Sequence, residues 1–259
     1  MILVLALLLA ATPASAGPAD TRSPEARFDA CIHLSDTNPA SAQKVAADWA
    51  RAGGGVPAAQ CLGIARSALG DWKGATDAFT TAASLADQIH APGGPNLWVS
   101  AGDAALAGGD AAQARKLLST AIGAPNLPDQ MKGEAYLDRA RADVAAEDLG
   151  AARGDMDEAL KLVPADPVSW LLSATLARRM DDLTRAATDI KEAQTRAPKA
   201  PEVFFEAGNI AAASGDVAGA RAQWSQAAAA DPDSDIAKQA QAELTATAGD
   251  QPTKPPAGR

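Results

Sequence analysis

Few side chains in this sequence have the types and spacing needed for covalent chemistry. Ser41-Ala42-Gln43-Lys44 sets a hydroxyl and an amine one helical turn apart, an arrangement in which the lysine can draw the proton from the serine. Enzymes built on that motif also need S-D-N and K-T-G elements, and the sequence has neither. The tetrad therefore reads as the exposed first turn of a helix that follows Pro39. His33 and His90 have no neighbouring pair of side chains with which to hold a metal, and His90 falls in a loop-rich stretch. Gly53-Gly54-Gly55 lacks the strand and lysine of a phosphate loop and reads as a hinge. No H-E-x-x-H, G-x-S-x-G or paired C-x-x-C occurs. The expectation is a chain that is not an enzyme and that uses no cofactor or metal.

Cys31 and Cys61 are too far apart for a C-x-x-C redox pair. In an oxidising compartment they would form one disulfide; in a reducing one they would be two buried thiols. The N-terminus favours the first setting. An apolar run, Ile2 to Ala11, precedes Ala14-Ser15-Ala16, a small-x-small cleavage site. No Lys or Arg precedes the run, which a mis-assigned start codon would explain. Residues 1–16 are thus expected to be a signal peptide, the mature chain to begin near Gly17, and the location to be periplasmic or secreted. No Cys follows the run to carry a lipid, and no other stretch is long and apolar enough to insert in a membrane. The formal net charge of -9 argues against nucleic acid, because phosphate binding is driven by Lys and Arg. A protein or peptide partner is left as the expectation, and the oligomeric state is open.

The elements behind these residues follow from composition and period. Hydrophobic residues make up 47% of the chain but aromatics only 4%, so the apolar mass is Ala and Leu and the elements are helices packed through small side chains. Residues 214–232, SGDVAGARAQWSQAAAADP, read as a turn, a packing helix and a terminator. Ala220, Trp224, Ala227 and Pro232 recur 34 residues earlier as Ala186, Ile190, Ala193 and Pro198, and again as Ala152, Met156, Ala159 and Pro164. Phe204 and Gly208 keep the same step with Trp170 and Ala174, then Tyr136 and Ala140. Gly-Asp at 70–71, 109–110 and 215–216 supplies a residue that accepts φ > 0 and then an N-cap.

This grammar resembles the tetratricopeptide repeat, whose unit runs W-x₂-L-G-x₂-Y, then A-x₃-F, then P. Trp98, Ala101, Gly102 and Ala105 occupy the first-helix slots, as do Leu62 and Gly63 upstream. Ala75, Phe79 and Ala82, and then Ala114, Leu118 and Ala121, occupy the second-helix slots. The extra residues in the first two spacings are placed in HAPGGP and GAPNLPD. The resemblance implies an all-α, right-handed solenoid of stacked antiparallel helix pairs, with about five units over 56–234. A degenerate helix pair within 17–55 caps one end, and a bridge between Cys31 and Cys61 would tie it to the first unit. An amphipathic helix at 235–248 caps the other end, and 249–259 is expected to be a disordered tail.

Such arrays hold extended peptides or helices against their first helices. The resemblance then makes Leu137, Arg141, Leu171, Thr175, Arg178, Phe205 and Asn209 the partner groove, with Val99, Asp103, Leu106 and Val144 beside them. Arg141 and Arg178 stand out in an acidic chain and would select a carboxylate-bearing segment. The Lys and Asn set with which the family clamps a peptide terminus is not found. The alternative is a structural protein that self-associates through its convex face or its ends.

Overall fold

Helix stops set the period of this molecule. The computed structural model describes residues 21–247; the expected signal at 1–16 and tail at 249–259 lie outside the described residues. Thirteen helices and no strand are found among them. An N-terminal pair, α1 (Pro24–Thr37) and α2 (Pro39–Arg51), precedes five two-helix units. These are α3 (Gly55–Ala68) with α4 (Trp72–Gln88), α5 (Gly94–Ala107) with α6 (Ala111–Gly123), and α7 (Asp129–Ala145) with α8 (Leu149–Leu162). The last two are α9 (Pro167–Arg179) with α10 (Leu183–Arg196) and α11 (Pro201–Ala213) with α12 (Val217–Ala230), and α13 (Asp235–Ala246) closes the array.

Every unit turns in the same way. The residue before the capping aspartate is left-handed: Gly70, Gly109 and Gly215 at φ 72, 78 and 79, and Glu147 and Asp181 at φ 61. The following Asp donates its backbone N–H to a carbonyl five residues back, as Asp110 does to Ala105 at 2.9 Å. Its carboxylate then accepts the N–H three residues on, as Asp110 does from Gln113 at 3.0 Å and Asp148 from Ala151 at 3.1 Å. Three of these turns are the expected Gly-Asp pairs. The other two place a side chain where L-residues are disfavoured, a strain that the unchanged hydrogen bonding on both sides sustains.

Small residues bring the paired helices close. Ala75, Ala114, Ala152, Ala186 and Ala220, one per unit, are each fully buried. A methyl added at Gly208 would lie 2.4 Å from the Trp224 ring, and one at Gly102 would lie 2.5 Å from Leu118. One inner column varies in chemistry. Leu62 and Ala78, then Ala101 and Leu117, are apolar, whereas the equivalent positions of the next two units carry Arg139 with Asp155 and Ser173 with Asp189. Arg139 makes a two-pronged contact to Asp155 at 2.6 and 2.7 Å. Ser173 donates to Asp189 and accepts from Arg153 at 2.9 Å. Arg185 spans Asp189 and Asp157, so the middle units are joined by a charged lattice instead of by apolar contact alone.

Both ends are covered. Ile236, Ala240 and Leu244 of α13 pack on the cluster around Trp224, removing its apolar surface from water. At the other end Trp49 is buried under Arg27, whose guanidinium lies 4.5 Å from the ring centroid. Cys31 of α1 and Cys61 of α3 are joined as a disulfide across 6.1 Å between Cα atoms.

Candidate functional site

Consecutive first helices lie side by side, and the spacing between them decides what the inner face can hold. α5 packs along α7 and α9 along α11, whereas α7 and α9, like α3 and α5, hardly touch. The parting of α7 and α9 leaves a hollow of about 290 Å³. Val144, Met156, Leu172 and Leu176 give it an apolar floor. Arg141, Thr175 and Arg179 stand around it. Helical spacing explains the set: Leu172, Thr175, Leu176 and Arg179 recur at three- and four-residue steps and so share one face of α9.

The expected groove residues separate into those that line this hollow and those taken up by the fold. Arg141 and Thr175 line it. Arg141 remains exposed and donates to Asp138 on its own helix at 3.0 Å. Leu137 is 9% exposed and packs with Ala140 and Met156 in the core, leaving one edge towards the inner face. Val99, at 4%, is buried in the same way. Arg178 is taken up by the fold. It reaches α11 and pairs with the buried Glu206 at 2.7 and 3.2 Å, so it fastens two units together. Asn209 is consumed in the same chain, donating to Glu206 at 3.2 Å and accepting from the Trp224 indole at 3.0 Å. Leu171 and Phe205 are half-buried against the clusters of the last two units.

Arg179 is the residue that the sequence reading missed. It has no ion pair among the described residues, is exposed, and lies at the hollow. The signal was present: Arg179 continues the stripe of Leu172, Thr175 and Leu176 at three- and four-residue steps, while the adjacent Arg178 lies about 100° around the helix and turns towards α11.

The other half of the α7–α9 seam has the opposite sign. A second hollow of about 500 Å³ is walled by Glu134 and Asp166, with Ser169 and the remaining edge of Leu137. Nearby, Asp103 of α5 meets Asp138 and Glu134 of α7. Water displaced by the concave wall, then the Asp138 and Glu134 charges, push the Asp103 carboxyl up to about 7 from an ordinary 3.8, with Arg141 opposing. The Asp103 side chain keeps an open edge to solvent, so loss of bulk water around it, not full enclosure, is the cause. No group of three His, Cys, Asp or Glu side chains that could hold a metal occurs among the described residues. No helix there is long and apolar enough to cross a membrane.

Stacked helix pairs with a common turn and a lined inner face define a helical repeat protein. The family model described as Tetratricopeptide repeat matches residues 62–130, 137–201 and 171–235, and the chain belongs to that family. No curated protein matches it significantly in sequence. Among solved structures, PilW, a widely conserved type IV pilus biogenesis factor, is similar at 16% identity over 84% of this chain and 98% of its own, with a TM-score of 0.70. The pilF protein of Pseudomonas aeruginosa is similar at 15% identity, over 85% of this chain and 99% of its own, with a TM-score of 0.65. YrrB, a repeat protein with an unusual peptide-binding site, is similar at 16% identity over 71% and 91%, with a TM-score of 0.54. At these identities the likeness is one of fold.

Proposed function

We propose that this protein is an exported assembly scaffold that holds a polypeptide partner along the seam between α7 and α9. The parting of these two helices over an apolar floor carries the reading; α3 and α5 part as well, but over a smaller hollow of about 190 Å³ edged by the polar Gln60, Asn96 and Ser100. Membership of a repeat family built for protein–protein contact supports it. PilW, similar over 84% of this chain, is a pilus biogenesis factor, and an assembly role is carried over from it by shape alone. Export follows from the apolar run and Ala14-Ser15-Ala16, and intact mass of the protein from its host should show loss of residues 1–16.

A photo-crosslinking residue placed at Thr175 tests the groove, with the same residue at exposed Thr188 on α10 as the control. An adduct to a defined polypeptide from Thr175 and not from Thr188 is expected. The reverse pattern would move the binding face to the second helices. A second reading, self-association, draws on exposed Leu69, Trp72, Met180 and Val217, all at turns between the first and second helices of their units. Sedimentation of the mature protein separates the two, because a groove binder needs no second copy.

A further inference from the structure

The two hollows belong to one seam. Glu134 and Arg141 stand on α7 seven residues apart, roughly 10 Å along the helix. Asp166, at the start of α9, joins Glu134 at the acidic end; Arg179, at its last turn, joins Arg141 at the basic end. Apolar side chains lie between, with Leu137 bordering one hollow and Val144, Met156 and Leu172 the other.

We propose that the seam takes a segment carrying a basic side chain and an acidic side chain roughly 14 Å apart, between the span of about 10 Å on α7 and that of about 20 Å from Asp166 to Arg179 on α9, with a nonpolar side chain between them. This rests on the groove reading above and adds the chemistry of the occupant. Charge complementarity selects it. A segment acidic throughout meets Glu134 and Asp166, and one basic throughout meets Arg141 and Arg179, so each is repelled at one end. The nonpolar residue displaces water from the hollow, and Met156, 2% exposed from the protein's own packing, lies in its floor. An extended chain reaches the required span in four residues, about 3.4 Å each, and its alternation puts the first, third and fifth side chains on the face that meets the seam. The direction of the segment follows from the charges: its basic group lies towards the start of α7 and its acidic group towards the end of α9. Arg179 supplies the stronger hold on the acidic group because no partner has to be displaced, whereas Arg141 must leave Asp138.

The test uses the full mature protein labelled at methionine methyl groups and titrated with heptapeptides blocked at both ends. One carries Lys-Ala-Leu-Ala-Glu at its centre, and the controls carry Lys-Ala-Leu-Ala-Lys and Glu-Ala-Leu-Ala-Glu. The mixed-charge peptide should shift the Met156 methyl resonance saturably, and each control should bind at least about fivefold more weakly, roughly 1 kcal/mol. Arg179→Gln and Glu134→Gln should each weaken the mixed peptide about three- to tenfold. Lys116→Gln, on the exposed face of α6, should not. Equal binding of the three peptides, or indifference to both seam substitutions, overturns the proposal. If Thr175 crosslinks a partner while the mixed peptide leaves Met156 unmoved, the occupant chemistry is wrong and the groove reading stands. If Thr175 captures nothing and Met156 is also unmoved, both fall.

Discussion

The second and third units, α5–α6 and α7–α8, share a backbone and hold opposite chemistry inside it. Where the second buries Ala101 beside Leu117, the third sets Arg139 against Asp155. Where the second has Ala105, the third buries Asp143, which takes an ion pair from Arg115 of the unit before. Where the second turns on Gly109, the third turns on Glu147. The repeat therefore demands shape and turn geometry at these places and leaves polarity free, provided each charge is partnered. A partnered charge adds little net stability but has one permitted geometry, whereas apolar contacts slide. The unit that uses it forms one wall of the open seam, where the rotation of α7 decides which side chains face the partner.

Breaking the ion pair should have the largest effect. Asp155→Ala leaves the mostly buried Arg139 uncompensated and should lower stability in urea by about 2–3 kcal/mol, below the range for a fully buried pair because Arg139 keeps 23% of its side chain exposed. Installing the solution of the second unit, Arg139→Ala with Asp155→Leu, should recover most of that loss. A double variant as unstable as the single one would show that the two units are not interchangeable.

Exchanging the turns comes next. Glu147→Gly should relieve the left-handed position and raise stability by about 1 kcal/mol, and Gly109→Glu should lower it by a similar amount. Both are read from thermal midpoints, and equal midpoints for the two would mean that surrounding contacts absorb the strain.

The smallest effect lies at the seam between these units, at Asp103, whose open edge lets solvent screen most of the shift. A carboxyl raised to about 7 gives stability that is full below its ordinary 3.8 and is lost as pH rises through 7. Asp103→Asn should therefore melt progressively higher than the natural protein between pH 5 and pH 8, with little difference at the acid end. A constant difference across that range would place Asp103 in ordinary water.

The period was legible because it is written in residue size: Ala at each helix crossing, an aromatic or bulky residue against it, Asp at each cap. That alone specified an all-helical stack of five pairs. The turn at Glu147 and Asp181 escaped notice because hydrogen bonds made around those residues impose the conformation, and neither side chain advertises it. The groove was harder for the same reason. Leu137 and Arg178 have the types of a binding face, but a few tens of degrees of helix rotation send one into the core and the other to Glu206. That rotation is fixed by contacts with neighbouring helices, which a linear pattern does not encode. Thr175 and Arg141 lie at the hollow because their turns face the gap between α7 and α9, and Arg179 shares that gap with them.

The crosslink from α1 to α3 bears on how the protein would carry load. It joins residues separated by 30 positions and encloses all of α2, so a pull along the chain bypasses that helix. About 100 Å of contour is thereby withheld from extension. The opposite end has α13 resting on α12 through side-chain packing and an Arg221 contact to the Leu244 carbonyl, with no covalent tie among the described residues. Stretched between its termini, the array would peel from α13 inwards, and its N-terminal end would act as the anchored grip.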